Sequence, residues 1–262
     1  MKKQISIAII GIAAITMLTV NSCKKKEDEV VSPTPTAANG TIAFHFHTNV
    51  DTAEVADYDS VNVMSTGRKI TVHKAQLYLS GIQLVKLDGS TVDVSGVIVL
   101  KKQEEEVYTL GSVPSGNYKS VKFNVGLSTT TNAAIPAVSD STLNTPPMWF
   151  GATAQPSGFV FVNFQGTIDT TTAGNGTVGQ MQPFSYKIGT NANLKSITMP
   201  DQNYTVSPNN IQFVHMVIDY NMLFIGVQLN VSSNLTMNTT SANGTGLGTQ
   251  LANNIASMFM YE

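Results

Sequence analysis

From residue 41 onward, the alternation of hydrophobic and polar residues predicts β-strands nearly throughout. These segments are rich in Val, Ile, Thr, Phe and Tyr, and Gly, Pro, Asn, Asp and Ser separate them. The predicted strands span residues 42–48, 70–87, 92–100, 106–110, 118–127, 158–168, 183–189, 194–199, 204–206, 211–218 and 223–231. Turn residues in "LDGS" (87–90) and "VPSGNY" (113–118) predict tight connections between neighbouring strands.

Helical periodicity is limited to two short segments. Apolar residues at helical spacing predict a short helix within 251–261, and a second short helix is predicted near 53–58. The polar segment 232–248 is predicted to be a loop. The pattern therefore predicts a single all-β domain over residues 41–262, an antiparallel β-sandwich of the Ig-like or jelly-roll-like type.

The N-terminus has the pattern of a bacterial lipoprotein leader. Two lysines precede the apolar run 5–20, and "TVNSC" resembles a lipobox that ends at Cys23, the only cysteine of the chain. The sequence predicts a signal peptide over residues 1–22 and a lipid anchor on Cys23, which would attach the protein to a membrane. A plain signal peptide followed by an unmodified thiol is the alternative.

A flexible tether is predicted over residues 23–40, because charged residues followed by Pro, Thr, Ala, Asn and Gly cannot form a core. Its "KKKED" resembles the lysine-plus-acidic signal that directs some bacterial lipoproteins to the cell surface. We expect an outer-membrane lipoprotein that is exposed at the cell surface, or otherwise faces the periplasm.

Charge and motifs exclude several classes of function. The formal net charge is −2, and loss of two lysines with the leader makes it −4, which argues against a nucleic-acid partner. The sequence has no Gly-x-Ser-x-Gly, no His-Glu-x-x-His and no phosphate-binding loop, so no catalytic residue is predicted. A carboxylate pair assembled from distant strands stays open.

Histidines are the candidate chemistry. His45 and His47 stand two apart in a predicted strand and therefore share one face. They are either a metal clamp or polar positions on an outer face that alternate with buried Ile42, Phe44 and Phe46. Imidazole, together with the thioethers of the chain's methionines, favours copper.

The other two histidines are predicted to be structural. His73 shares its strand face with Ala75, Leu77 and Leu79, which predicts a core histidine. His215 has Asp219 in step on its strand, which predicts a buried His–Asp pair that is structural or supports a metal ligand.

Four segments in this order resemble the MbnP-like family of bacterial periplasmic proteins and lipoproteins: "HKAQLYLSGIQLVKLDGS", "VYTLGSVPSGNYKSVKFNVGLS", "SGFVFVNFQG" and "FSYKIGT". The resemblance covers most of residues 41–262. It implies a β-sandwich and copper handling, with Trp149 as a candidate for oxidative modification and a haem protein as redox partner.

Two positions depart from the family pattern, and the tryptophan segment keeps Trp149 but has a different companion residue and extra residues before Ser157. Ser128 stands at an acidic position, and Lys187 stands at a histidine position where a protonated amine cannot bind a metal. The family site is therefore either lost or rebuilt elsewhere in this chain.

We therefore predict copper ligands at His45 and His47, with Met148 and Trp149 contributing and His215 in reserve. The predicted function is copper binding or handling by a lipoprotein. The alternative is a metal-free β-sandwich that binds a sugar, a peptide or a partner protein.

Surface exposure has a direct test. Protease treatment of intact cells should degrade the protein, because the lysine-plus-acidic signal predicts display outside the outer membrane. Immunoblotting before and after lysis measures this. A chain that survives on intact cells and is cut only after lysis would contradict the surface location.

Overall fold

The computed structural model describes residues 38–55, 57–151 and 157–262. The predicted signal peptide, Cys23 and nearly all of the predicted tether lie outside the described residues and stay predictions. The described residues belong to one compact unit. In this part of the chain, no helix has the length and apolar character needed to cross a membrane.

The described residues form fifteen strands and two short α-helices. The strands are β1 (Asn39–Val50), β2 (Ala53–Glu54), β3 (Val61–Val63), β4 (Lys69–Lys86), β5 (Thr91–Asp93), β6 (Val99–Lys101), β7 (Val107–Pro114), β8 (Gly116–Val125), β9 (Val160–Asp169), β10 (Met181–Gly189), β11 (Lys195–Thr198), β12 (Tyr204–Val206), β13 (Ile211–Asp219), β14 (Thr236–Met237) and β15 (Phe259–Tyr261). The helices are α1 (Thr129–Ala133) and α2 (Gly246–Asn254).

The strands form two sheets, which confirms the predicted all-β sandwich. The smaller sheet has five strands in the order β15-β13-β1-β2, with β7 pairing the first half of β1. The larger sheet has ten strands. Six of them follow the path β11-β8-β4-β9-β10-β14, and the short strands β3, β5 and β6 pair with β4 while β12 pairs with β8. Two pairs, β1 with β13 and β10 with β14, are parallel, and the remaining pairs are antiparallel.

The core lies between the sheets and follows the predicted alternation. Ile42, Phe44 and Phe46 of β1 are fully buried, whereas the intervening histidines are half-buried on the other face. From the larger sheet, Phe164 packs at the centre of an aromatic group, and its ring centroid lies 4.6 Å from that of Tyr220. Burial of these rings, together with the aliphatic residues of the same core, stabilises the fold.

The C-terminal helix is confirmed and starts earlier than expected. Helix α2 begins after Thr245, whose hydroxyl accepts a hydrogen bond from the amide of Gly248. A short 3-10 turn, Ile255–Met258, then leads into β15. Leu251, Ile255 and Met258 are fully buried, as their helical spacing predicted.

Two predicted elements are wrong. The predicted helix at 53–58 is replaced by β2, which pairs with the end of β1. The predicted strand at 223–231 is replaced by the 3-10 segment Tyr220–Phe224 and turns, because the Asp219 carboxylate accepts a hydrogen bond from the amide of Asn221 and ends β13. The predicted strand at 92–100 is divided into β5 and β6, and the predicted loop at 232–248 contains β14.

The prediction that His73 is a core histidine is also wrong. Its side chain is 47% exposed and pairs with Asp59. The register between β4 and β9 shifts between Val72 and Lys74, which marks a β-bulge at His73. The bulge interrupts the two-residue alternation, so His73 points outward while Ala75 beyond it is buried.

Truncation of Phe164 tests the aromatic core. Phe164→Ala should lower the free energy of unfolding by about 3–5 kcal/mol, because a fully buried ring leaves a cavity that its neighbours fill only in part. Urea denaturation measures the change. The control, Ile135→Ala, removes a side chain that is 77% exposed and should stay within about 0.5 kcal/mol of the wild type. Equal effects in the two variants would contradict this placement of the core.

Candidate metal centre

The site is built on the parallel pairing of β1 with β13. In this register His45 lies directly opposite His215, and His47 lies opposite Val217. Paired residues of neighbouring strands project from the same face, and the strands are about 4.8 Å apart. The three imidazoles of His45, His47 and His215 therefore meet on the outer face of the smaller sheet. We refer to these three residues as the histidine cluster.

The rings of the histidine cluster are in contact. Nδ1 of His45 lies 2.9 Å from Nδ1 of His215, and the two ring centroids are 4.8 Å apart. The rings of His45 and His47 have centroids 4.6 Å apart. The close Nδ1 pair requires that one imidazole donates a proton to the lone pair of the other. A metal ion bound at this point would replace that shared proton.

Glu262 adds an oxygen donor to the histidine cluster. Its Oε2 lies 3.3 Å from Nδ1 of His215 and 3.8 Å from Nε2 of His47. Ligand atoms of His45, His47 and Glu262 all lie within 4.8 Å of one another. Ligand bonds of about 2.0–2.2 Å place the donors of a tetrahedral site roughly 3.5 Å apart, so small side-chain rotations would close the group around one ion.

Two imidazoles have a carboxylate behind the ring. Nδ1 of His47 lies 3.0 Å from Oε1 of Glu54, and Nε2 of His45 lies 3.5 Å from Oε2 of Glu106. The other ring nitrogen of His45, Nδ1, faces His215, and the other ring nitrogen of His47, Nε2, faces Glu262. A carboxylate that accepts the outer ring N–H fixes the tautomer and makes the inner nitrogen a better metal ligand.

The carboxylates also alter the titration of His47. The hydrogen bond that His47 donates to Glu54 raises the pKa of His47, partial burial opposes this, and the negative charges of Glu262, Glu54 and Glu106 raise the pKa further. The five strands of the smaller sheet contain no lysine or arginine. Basic side chains of this sheet therefore do not compete for the carboxylates, whereas Lys101 of the larger sheet interacts electrostatically with Glu106.

The predicted buried pair of His215 with Asp219 is wrong. The His215 side chain is 49% exposed and joins the histidine cluster. Asp219 is buried at the end of β13, where its carboxylate accepts hydrogen bonds from the amides of Asp51 and Asn221. The two residues therefore have separate roles, and Asp219 marks the end of β13.

Comparison with known proteins identifies the family. The sequence model of the MbnP family matches residues 39–243, which is most of the chain. The chain belongs to the MbnP family. No curated protein matches it at a significant level. Among solved structures, MbnP from Methylosinus trichosporium has a TM-score of 0.51 and 16% sequence identity, covering 74% of this chain and 80% of that chain. At this identity the structural likeness supports the fold.

Met148 and Trp149 of the MbnP family pattern lie away from the histidine cluster, whereas Val107 of that pattern is opposite His45. Met148 and Trp149 belong to a separate buried cluster beside β9, and the indole N–H of Trp149 donates to the carbonyl of Leu143 at 3.1 Å. Both side chains are at least nine-tenths buried. The structure thus brings together His45, His47 and His215, and places Met148 and Trp149 in the protein interior.

The two departures from the MbnP family pattern also lie with the larger sheet. Ser128 follows β8 and caps α1, where its hydroxyl accepts a hydrogen bond from the amide of Thr131 at 3.2 Å. Aspartate and serine are both good N-caps, so this substitution preserves a structural role. Lys187 lies on β10 opposite Asn163. Neither departure touches the histidine cluster.

Sequence reasoning missed the three glutamates of the site. Glu54 and Glu262 lie at strand ends that the alternation did not predict, and Glu106 lies at the start of the predicted strand 106–110, far in sequence from any histidine of the site. Glu54 reaches His47 through the short turn between β1 and β2, whereas Glu106 and Glu262 reach the histidine cluster through pairing of strands distant in sequence.

Removal of the Glu54 carboxylate tests the electrostatics. In Glu54→Gln the pKa of His47 should fall, because the hydrogen bond that contributes most to its elevation is weakened. A raised folded-state pKa stabilises the fold fully below the unfolded value of about 6.5, and this stabilisation is lost as pH rises through the folded pKa. NMR titration of His47 and unfolding at several pH values measure both effects.

Glu104→Gln is the matched control, because it removes an exposed carboxylate that precedes β7. It should leave the titration of His47 close to that of the wild type. An unchanged His47 pKa in Glu54→Gln would show that the hydrogen bond is absent in solution.

Proposed function

We propose that this member of the MbnP family binds copper at the histidine cluster together with Glu262. The observation that carries the proposal is the register of β1 and β13, which opposes His45 to His215 beside His47. This arrangement supplies three imidazole nitrogens and one carboxylate oxygen at a single point of the surface.

The arrangement around the rings favours a metal site over an ordinary polar sheet face. Polar residues on a solvated face need no particular partner, whereas two of these imidazoles have a carboxylate at the outer nitrogen and a convergent inner nitrogen. The hydrogen bond between His47 and Glu54 is of the kind that orients metal-binding histidines in proteins, and Glu106 lies at the corresponding position of His45 at 3.5 Å. The negative charge of Glu54, Glu106 and Glu262 would further stabilise a cation.

Copper is the metal that best fits both the donors and the family resemblance. Imidazole suits copper, zinc, iron and nickel, and among divalent first-row ions copper(II) forms the strongest complexes with a given nitrogen and oxygen donor set. The family resemblance implies copper handling independently of this geometry. The pKa of His47 is raised, and a protonated imidazole must lose its proton before it can bind a metal, so the affinity should increase with pH.

We further propose that the metal site is held at the outer membrane by a lipid on Cys23. The support is the lipobox-like sequence before this cysteine and the acidic, lysine-containing segment after it. The expectations of a haem-protein partner and of a non-enzymatic role stay predictions. Because Trp149 is 7% exposed, oxidation by a partner protein would require movement of the surrounding loop.

A second candidate function has a specific observation in its favour. A cleft of about 370 Å³ beside the larger sheet is lined by polar residues that include Ser80, Asp93, Asn124, Ser128 and Thr131. Hydroxyl, amide and carboxylate groups of this kind bind sugars or peptides. This cleft is the place to search for a ligand if the protein binds no metal.

Copper titration of a soluble form beginning at Lys24 tests the main proposal. The wild type should bind one copper(II) per chain, and the His45→Ala/His47→Ala variant should bind at least about 100-fold more weakly, because it lacks two of the three imidazoles. Isothermal titration calorimetry and metal analysis measure affinity and stoichiometry.

His73→Ala is the matched control, since it removes an exposed histidine that pairs with Asp59 on the larger sheet. It should bind copper like the wild type. Copper retained by the double variant would place the site elsewhere, and a wild type that binds none would favour the polar cleft.

A further inference from the structure

Met260 lies in the same transverse row of the smaller sheet as His47. In the antiparallel pairing of β15 with β13, Met260 is opposite Val217, and Val217 is in turn opposite His47. Paired residues share a face, so Met260 stands on the outer face one strand beyond Val217. Its exposure of 40% agrees with this position.

The reach of Glu262 shows that side chains of β15 extend to the histidine cluster. Glu262 follows Met260 by two residues and shares its face. Its carboxylate lies 3.8 Å from Nε2 of His47, although β13 separates β15 from β1. The backbone of Met260 lies in the same row as His47, and its unbranched side chain has three rotatable bonds. The thioether therefore has a path to the same point across the short side chain of Val217.

Packing gives no reason for a methionine at this position. Met216 and Met258 nearby are fully buried and fill the core, whereas Met260 faces outward. Two further exposed apolar side chains lie near the histidine cluster. Val107 is opposite His45, and Phe213 is opposite Ala43 on the same strand, β1. Neither side chain supplies a donor atom for a metal.

We propose that Met260 supplies a thioether ligand to copper(I), so that this surface site binds copper in both oxidation states. The inference rests on the proposed copper function of the histidine cluster. Thioether sulfur is a soft donor that prefers copper(I), whereas imidazole and carboxylate serve copper(II) and zinc. Met260 therefore acts as the residue that sets the preference of the site between these ions.

Met260→Leu tests the role of the sulfur, because it keeps the volume and the apolar character of the side chain. Anaerobic competition with bicinchoninate measures the copper(I) affinity, and calorimetry measures the affinities for copper(II) and zinc. The expected result is a loss of roughly tenfold or more for copper(I), with both divalent affinities unchanged. X-ray absorption of the copper(I) wild type should show a sulfur ligand that the variant lacks.

Met181→Leu is the matched control, since it changes a half-buried methionine at the start of β10 on the larger sheet. It should match the wild type in every assay. An unchanged copper(I) affinity in Met260→Leu, or a copper(I) spectrum without sulfur, would overturn the inference while leaving the histidine site in place. A wild type that binds copper in neither state would overturn the proposed function, and this inference with it.

Discussion

The parallel pairing of β1 with β13 is the constraint on which the candidate site depends. Residues 170 positions apart, His45 and His215, become direct neighbours in this register. The inner face holds the register in place, because Phe44 and Phe46 on β1 are fully buried beside the inward residues of β13. If the register of β1 shifted by one residue, Phe44 and Phe46 would face solvent and the histidines would face the core. The same hydrophobic burial that stabilises the sandwich therefore assembles the site.

The two faces of the smaller sheet have different physical requirements. The inner face must exclude water and is filled by aliphatic and aromatic residues. The outer face stays partly solvated, so polar side chains there cost little free energy and are available for binding. Histidines and three glutamates occupy this face or its borders, and the five strands carry no lysine or arginine. The resulting negative field is a property of the whole sheet.

The larger sheet carries most of the sequence features that mark the family. Most segments that resemble MbnP-like proteins lie on β4, β8, β9 and β10 of this sheet, together with the buried cluster that contains Trp149, whereas β7 belongs to the smaller sheet and pairs with β1. The histidine cluster lies on the other sheet. The departures at Ser128 and Lys187 therefore have no direct effect on it, and the capping role of Ser128 shows that one of them is structurally conservative.

Sequence alone determined the strand alternation, the burial of Phe44 and Phe46, and the shared face of His45 and His47, because these follow from the two-residue period of an extended chain. It failed where a local event broke that period, at the bulge of His73 and at the end of β13. Only the tertiary structure decided that His215, Glu54, Glu106 and Glu262 join the site. Glu54 depends on the short turn from β1 to β2, and the other three positions depend on which distant strands pair and in which register, which packing of the complete core determines.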